Sequence, residues 1–184
     1  MSYDDYQKLA MRTNGQTDEQ AMLDMCLLGL SGEVGELNDL LKKLLFHNHP
    51  QELEKICLEC GDVMWYVALA CEYFQWSLDE LLENKEYMIS FHRGKKPREK
   101  LLRACLCMSV EVGQIAGYSL RATSPQALRL LGSNVFLHVR RLCQYLVLFC
   151  ETLGLHFDEV LDKNIEKLSK RYQVSSKASL ERVM

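Results

Sequence analysis

Apolar residues recur every three or four positions along most of the chain, which is the spacing of one face of an α-helix. No segment alternates between apolar and polar residues in the way of a half-buried strand. The pattern therefore predicts an all-α protein. One of these apolar stripes consists of Leu23, Cys26, Leu27, Leu30, Val34, Leu37, Leu41 and Leu44.

Four positions predict where helices begin. Thr17-Asp-Glu-Gln20 and Ser77-Leu-Asp-Glu80 have the spacing of capping boxes, in which two side chains satisfy free amides of the first turn. Pro50 and Pro125 stand where a first helical turn accepts proline. We expect a helix to start at each of these points.

The second half of the chain repeats the first. Val110-Glu111-Val-Gly113-Gln114 matches Gly32-Glu33-Val-Gly35-Glu36, at an offset of 78 residues (111 minus 33). Pro50-Gln-Glu-Leu53 recurs as Pro125-Gln-Ala-Leu128. At an offset of 79, the residues Tyr66, Cys71, Glu72, Asp79, Glu80 and Leu82 recur as Tyr145, Cys150, Glu151, Asp158, Glu159 and Leu161.

The repeat predicts two similar helical units packed about a pseudo-two-fold axis, as a tandem-repeat bundle that forms a pseudo-dimer within one chain. The first unit spans residues 1–90 and the second spans residues 100–173. Residues 91–99 are the predicted linker, and residues 174–184 are the predicted C-terminal tail. A further homodimer of the whole chain stays open.

The composition is that of a globular protein, since 48% of the 184 residues are hydrophobic. No apolar run reaches the length of a membrane span, and the acidic start Met1-Ser-Tyr-Asp-Asp5 is unlike a secretory signal. Most of the eight cysteines lie in apolar helical stretches, as is typical of reduced thiols. We therefore expect a cytoplasmic protein with no membrane partner.

Charge is distributed unevenly between the two halves. Residues 1–90 carry 6 Lys+Arg and 17 Asp+Glu, a net charge of −11, whereas residues 91–184 carry 16 and 8, a net charge of +8. These opposite charges favour packing of one half on the other. Because no basic run is interleaved with aromatic residues, we expect no nucleic-acid partner.

Two pairs of acids are the most informative chemical feature of the chain. Glu33 and Glu36 form one pair and Glu59 and Asp62 the other, each three residues apart and therefore on one helix face. Four carboxylates that meet in an apolar bundle repel each other and lose hydration, unless a cation lies between them. The spacing therefore predicts a metal site, and oxygen ligands favour Mg²⁺.

Four glycines lie inside segments that otherwise read as helix: Gly29, Gly32, Gly35 and Gly61. Each costs about 1 kcal/mol relative to alanine, so some other interaction must offset the loss. One interpretation is that they let a second backbone or a ligand approach the helix closely. The other is that they mark only kinks or tight packing.

The two acid pairs, with the residues around them, resemble the motifs of the MazG-type nucleoside triphosphate pyrophosphohydrolases, relatives of the all-α dimeric dUTPases. Tyr6-Gln7 and Arg12-Thr13 also resemble the opening segment of that family. The resemblance covers Gly32-Glu33-Val-Gly35-Glu36, Lys42-Lys43 with His47, Glu59-Cys-Gly-Asp62-Val-Met-Trp65-Tyr66, and Asn164-Ile-Glu-Lys167-Leu-Ser-Lys-Arg171-Tyr172.

The resemblance implies hydrolysis of an NTP or dNTP to the monophosphate and pyrophosphate, with Mg²⁺, or alternatively Mn²⁺, as cofactor. Glu36 is the candidate general base. The implied metal ligands are Glu33, Glu36, Glu59 and Asp62, and the implied substrate contacts are Lys42, Lys43, Trp65, Tyr66, Asn164, Lys167 and Arg171. For Lys42 and Lys43 a solvated helix face is the alternative interpretation, and for Trp65 and Tyr66 a place in the core.

The family's last motif survives only in the second repeat, because the first repeat reads Lys85-Glu-Tyr-Met88 at that place. Asn164, Lys167 and Arg171 share one helix face. We expect this face to reach the acids of the first repeat, which would make the site composite. Alternatively, Lys167 and Arg171 only complement the C-terminal end of their helix.

The second repeat has lost most of its acids. Glu36 is replaced by Gln114, Glu59 by His138 and Asp62 by Arg141, and only Glu111 remains. One metal site per chain is therefore expected. His138 lies on an apolar stripe, so we interpret it as a core or pairing residue.

Other classes of protein are less consistent with the residues. A bundle that binds metal or nucleotide for regulation, without turnover, is the main alternative. A zinc site made by Cys57, Cys60, His47 and His49 lacks the usual second cysteine pair. A di-iron bundle needs Glu-x-x-His, which no histidine of this chain completes.

Overall fold

All regular secondary structure in the described residues is helical, which confirms the all-α prediction. The computed structural model describes residues 1–50, 52–83 and 94–181, with side chains as far as residue 171. No helix in these ranges is long and apolar enough to cross a membrane. The helices are α1 (Tyr3–Met11), α2 (Glu19–Phe46), α3 (Leu53–Phe74), α4 (Leu78–Leu82), α5 (Pro97–Arg121), α6 (Pro125–Leu130), α7 (Gly132–Thr152) and α8 (Phe157–Glu181).

Two of the four predicted helix starts are confirmed. Ser77 caps α4 by accepting a hydrogen bond from the Glu80 amide at 3.2 Å, and Pro125 opens α6. The cap of α2 is Asp18 instead of Thr17, because the Asp18 carboxylate accepts from the Ala21 amide at 2.8 Å and also suits the positive end of the helix. Pro50 was wrong as a helix start, since α3 begins at Leu53.

The core lies between α2, α3, α5 and α7. Helix α2 packs on α3 and α5, and α7 packs on α5 and α3. Six residues of the predicted α2 stripe are buried, and Leu27 and Leu44 pack against the core from its edge. All eight cysteines are free, and all but Cys107 are buried.

Two further helices cover α3 and position the candidate site. Helix α8, from the second half of the chain, lies along α3, and α1 packs on α3, α4 and α8. Contacts between oppositely charged halves include the Arg129 guanidinium, which lies 3.1 Å from the Glu19 carboxylate. The first and second halves therefore meet along α3.

Some predicted boundaries fall partly outside the described residues. This applies to residues 91–93 of the predicted linker and to the Lys85-Glu-Tyr-Met88 segment. The linker's last residues, 97–99, belong to the first turn of α5. Residues 174–181 of the predicted tail continue α8. The pseudo-two-fold axis stays a prediction.

Candidate functional site

Three acids meet where α2 packs on α3. One carboxylate oxygen each from Glu33, Glu59 and Asp62 lies within 4.8 Å of the others. Their sequence neighbours Val34, Cys60 and Val63 are buried, which places the acids at the edge of the helix contact, half-buried and open to one side. We call these three residues the acidic cluster.

Glu36, the fourth acid of the motif, is placed differently. It lies one turn along α2 from Glu33, is exposed, and lines the same cavity as the acidic cluster. Its carboxylate does not belong to the group within 4.8 Å. The structure therefore brings three of the four predicted ligands together and leaves Glu36 at the rim.

The acidic cluster carries more negative charge than its neighbour Lys167 compensates. Burial raises the pKa of Glu33 to about 7, and the charges of Asp62, Glu36 and Glu59 add to the effect. Burial, followed by the charges of Glu36 and Asp62, also raises the pKa of Glu59. Among the described residues, neither Glu33 nor Glu59 has a hydrogen-bond or ion-pair partner. Both acids would be stabilised by a nearby cation.

Helix α8 brings basic and polar groups to the acidic cluster. The Lys167 ammonium donates to Oδ2 of Asp62, and Nδ2 of Asn164 donates to Oδ1 of Asp62 at 3.1 Å. Gly61 permits this approach, because a Cβ there would lie 2.7 Å from the Cβ of Asn164. Arg171 follows one turn beyond Lys167 and faces the same cavity. Acids from the first half and bases from the second thus lie side by side.

Asn164 has a role in packing that its motif does not reveal. It is completely buried and does not line the cavity. Both ends of its amide are engaged, because Oδ1 accepts from the Tyr6 hydroxyl at 2.8 Å. Asn164 therefore contacts Asp62 and Tyr6 in this state and does not face the solvent.

Two aromatic residues, Trp65 and Tyr66, line the same cavity as the acidic cluster, and we call them the aromatic wall. Their rings pack edge to face with centroids 4.9 Å apart, and Nε1 of Trp65 donates to the Thr13 hydroxyl at 2.9 Å. Gly29 makes room for Tyr66, since a Cβ at Gly29 would lie 2.1 Å from that ring. The rings are held in place and partly exposed.

The acids, bases and aromatic wall enclose a cavity of about 540 Å³. This volume is in the range of small-molecule sites. Carboxylates, two cations and flat rings line this one cavity, so it suits a ligand with both a charged and a planar part. The lining residues are Thr13, Glu33, Glu36, Glu59, Asp62, Trp65, Tyr66, Lys167, Leu168 and Arg171.

Several predicted residues lie elsewhere. Lys42 and Lys43 both pair with Asp39, Lys43 at 2.6 Å, and neither lines the cavity. Cys57 and Cys60 are buried within α3, whereas His47 and His49 are exposed at the end of α2. Among the described residues, the acidic cluster is the one group of three or more potential metal ligands.

The four glycines of the sequence analysis divide into two kinds. At Gly29 and Gly61 the close neighbours are the side chains of Tyr66 and Asn164, so these positions show tight packing and not the approach of a second backbone. At Gly32 and Gly35 a Cβ would meet no atom within 4 Å, so no second backbone approaches there. These two glycines lie on the exposed face of α2.

Sequence reasoning did not assign site roles to Thr13, Leu168 and Tyr6. Thr13 and Leu168 line the cavity, and Tyr6 lies behind Asn164. The resemblance of Tyr6-Gln7 and Arg12-Thr13 to a family opening segment was the available signal for Tyr6 and Thr13, and Leu168 stands inside the motif that runs from Asn164 to Tyr172.

Comparison of the chain with protein-family models, curated proteins and solved structures finds no match. The case for a function therefore depends on the residues themselves and on their geometry.

Proposed function

We propose that this protein is a Mg²⁺-dependent nucleoside triphosphate pyrophosphohydrolase of the MazG type, which converts an NTP or dNTP to the monophosphate and pyrophosphate. The observation that carries the proposal is the convergence of the acidic cluster with Lys167 and Arg171 and with an aromatic wall around one cavity. The cations would pair with the negative charges of a triphosphate, and the rings would pack against a nucleobase.

The donor set fits a hard divalent cation. The acidic cluster offers only oxygen atoms, and two of its three acids have no partner among the described residues. Burial, and after it repulsion from the neighbouring acids, raises the pKa of Glu33. Mg²⁺ and Mn²⁺ prefer such ligands, whereas Zn²⁺ favours sulfur and nitrogen. Glu33, Glu59 and Asp62 would hold the ion, which when bound supplies positive charge against the phosphates and polarises a water molecule.

The remaining residues have separate roles in the proposal. Glu36 is at the rim and outside the acidic cluster, so its carboxylate is available to accept a proton from the attacking water. Lys167 and Arg171 bind phosphate oxygens. Because the Trp65 and Tyr66 rings are perpendicular, one of them contacts the base through its face and the other through its edge. The hydrogen bond from Trp65 to Thr13 fixes the indole orientation.

We also propose that the protein is cytoplasmic and that the two halves of the chain are repeats of one unit. The spacing of the helix starts supports the repeat. Glu19 and Pro97, which begin α2 and α5, are 78 residues apart; Leu53 and Gly132, which begin α3 and α7, are 79 apart. The first residues of α4 and α8, Leu78 and Phe157, are also 79 apart.

Product analysis with a panel of NTPs and dNTPs tests the proposed activity. Purified protein with Mg²⁺ is expected to release pyrophosphate and monophosphate from at least one nucleotide, and chelation of the metal is expected to stop the reaction. Asp62→Asn should abolish turnover, whereas Glu72→Gln, an exposed acid on the same helix, should not. Release of orthophosphate alone would contradict the proposal. Nucleotide binding without any product would favour the regulatory alternative.

A further inference from the structure

We propose that Tyr6 is a positioning residue for the metal site: its buried hydroxyl holds the amide of Asn164, and that amide holds the carboxylate of Asp62. The proposal rests on the proposed function in one respect, which is that Asp62 is a metal ligand. Tyr6 lies on α1, a helix that contributes no acid to the site, and its hydroxyl does not line the cavity.

The contact chain runs through three helices. The Tyr6 hydroxyl donates to Oδ1 of Asn164 at 2.8 Å, and Nδ2 of Asn164 donates to Oδ1 of Asp62 at 3.1 Å. Tyr6 and Asn164 are both completely buried. A second acceptor for the hydroxyl, the carbonyl oxygen of Gly61, lies further away at 3.5 Å. The strongest interaction of Tyr6 is therefore with Asn164.

The chemistry of an amide makes the order of these contacts important. An ionised carboxylate only accepts hydrogen bonds, so Asn164 must present its NH₂ group to Asp62. Its carbonyl oxygen then points away from Asp62 into a buried space, where it needs a donor. Tyr6 supplies that donor. Burial raises the pKa of Tyr6 well above its usual value, so the phenol keeps its proton.

The result is a carboxylate held at both oxygens. Asn164 contacts Oδ1 of Asp62 and Lys167 contacts Oδ2, which fixes the plane of the group. Each carboxylate oxygen has two lone pairs, so one on each remains for a cation. Groups that hold a metal ligand in this way commonly change metal affinity when they are removed.

Helix α1 is itself firmly attached, which makes Tyr6 a suitable anchor. The Gln7 side chain donates to the carbonyl oxygen of Trp76 at 3.2 Å and accepts from the Leu78 amide at 3.1 Å. Asp4 accepts from the Ser77 hydroxyl at 2.9 Å and from the Asp79 amide at 3.0 Å. Movement of Tyr6 would break several of these contacts.

The test compares Tyr6→Phe with Tyr73→Phe. Tyr73 is also buried, and its hydroxyl donates to the carbonyl oxygen of Pro125 at 3.4 Å, away from the acidic cluster, so this variant reports the general effect of losing a buried hydroxyl. Mg²⁺ affinity is measured by calorimetry without nucleotide. Tyr6→Phe is expected to weaken Mg²⁺ binding by about tenfold or more, and Tyr73→Phe is expected to leave it unchanged while lowering the melting temperature.

A double-mutant cycle then tests the route through Asn164. If Tyr6 acts through Asn164, Tyr6→Phe will have no further effect on Mg²⁺ affinity in the Asn164→Ala background. Additive effects would overturn that route, and wild-type Mg²⁺ affinity in folded Tyr6→Phe would overturn the positioning role. If Tyr6→Phe does not fold, the Asn164→Ala variant decides alone, since an unchanged Mg²⁺ affinity there removes the link to Asp62.

The two proposals fail in different ways. Wild-type protein that binds Mg²⁺ but releases no pyrophosphate would contradict the proposed function and leave the Tyr6 measurement valid. Wild-type protein that binds no Mg²⁺ in the absence of nucleotide would overturn the positioning role, whereas the pyrophosphate assay would still decide the proposed function. If the wild type is active and Tyr6→Phe leaves Mg²⁺ affinity unchanged, as Tyr73→Phe does, only the positioning role would be overturned.

Discussion

In the proposed repeat the acidic cluster has a counterpart in the second half of the chain, and the two places compensate their charge differently. The repeat aligns Glu33 of α2 with Glu111 of α5, and Glu59 of α3 with His138 of α7. Nδ1 of His138 lies 2.6 Å from Oε2 of Glu111, a residue that is only 6% exposed. The prediction that His138 is a pairing residue is therefore confirmed.

The difference shows what the acidic cluster lacks. The second half contains its own partner for a buried carboxylate, and the Tyr118 ring packs on that partner at 5.6 Å between centroids. The first half has acids at both positions, and burial with mutual repulsion raises the pKa of Glu33 to about 7. Lys167 pairs with Asp62 but leaves Glu33 and Glu59 without partners of their own among the described residues. A site that keeps such excess charge is typical of function, because stability alone would favour the arrangement of the second half.

The largest expected effect comes from breaking the acidic cluster itself. Glu33→Gln removes one proposed ligand, so we expect a loss of about a hundredfold or more in kcat/KM, about 2.7 kcal/mol. The same change relieves repulsion, so the metal-free protein should melt at an equal or higher temperature. Pyrophosphate assays and thermal melts of one preparation check both. An active variant would contradict the ligand role of Glu33, and a clearly lower melting temperature would assign Glu33 a structural role.

The second prediction concerns the bases that only the second half provides. Lys167→Ala should lose about tenfold in kcat/KM, about 1.4 kcal/mol. It should also lower the melting temperature of the metal-free protein, because it removes the cation that pairs with Asp62. Arg171→Ala should lose activity to a similar extent, because both residues line the cavity. Lys170→Ala is the matched control: Lys170 is exposed on the same helix and pairs with Glu166 at 2.7 Å. Normal turnover in both variants would mean that the site lies wholly within the first half.

The sequence predicted those features that depend on local spacing. Glu33, Glu59 and Asp62 were identifiable because i,i+3 pairs share a helix face wherever the helix lies. Gly61 was identifiable as a place of close approach, although not the residue that approaches it. The burial of Asn164 and its bond to Tyr6, 158 residues away, could not be predicted, because they depend on how α1 and α8 both pack on α3. No period in the chain encodes that contact.

The third prediction tests whether the Glu111 and His138 pair in the second half has a structural role. Glu111→Gln keeps an acceptor for His138 but removes the negative charge, and charge-assisted hydrogen bonds are stronger than neutral ones. We expect a loss of about 1 kcal/mol in the free energy of unfolding, with kcat/KM near wild type. Denaturant unfolding and the pyrophosphate assay measure the two quantities. Reduced activity with unchanged stability would show that the second half also takes part in catalysis, and that the contrast between the halves is wrong.

The smallest effect is a pH dependence that only the acidic cluster should show. A carboxyl group with a raised pKa in the folded state binds its proton more tightly there than in the unfolded chain. The resulting stabilisation is complete below the unfolded pKa of about 4.5 and is lost as the pH rises to the folded value of about 7. Metal-free protein should therefore lose stability across this interval, while Mg²⁺ affinity should rise, because the ion binds the ionised form.

Comparison with Glu33→Gln isolates the contribution of Glu33, since the variant lacks this titrating group but keeps the other acids. The melting temperature of the variant minus that of the wild type should increase between about pH 4.5 and about pH 7, because the wild type loses the proton that stabilises it and glutamine does not. Saturating Mg²⁺ should remove the higher melting temperature of the variant, because the wild type has the Glu33 carboxylate as a ligand and is therefore stabilised more strongly by the bound ion. A difference that stays constant with pH in the absence of metal would mean that Glu33 is already compensated, and the contrast with the Glu111 and His138 pair would no longer hold.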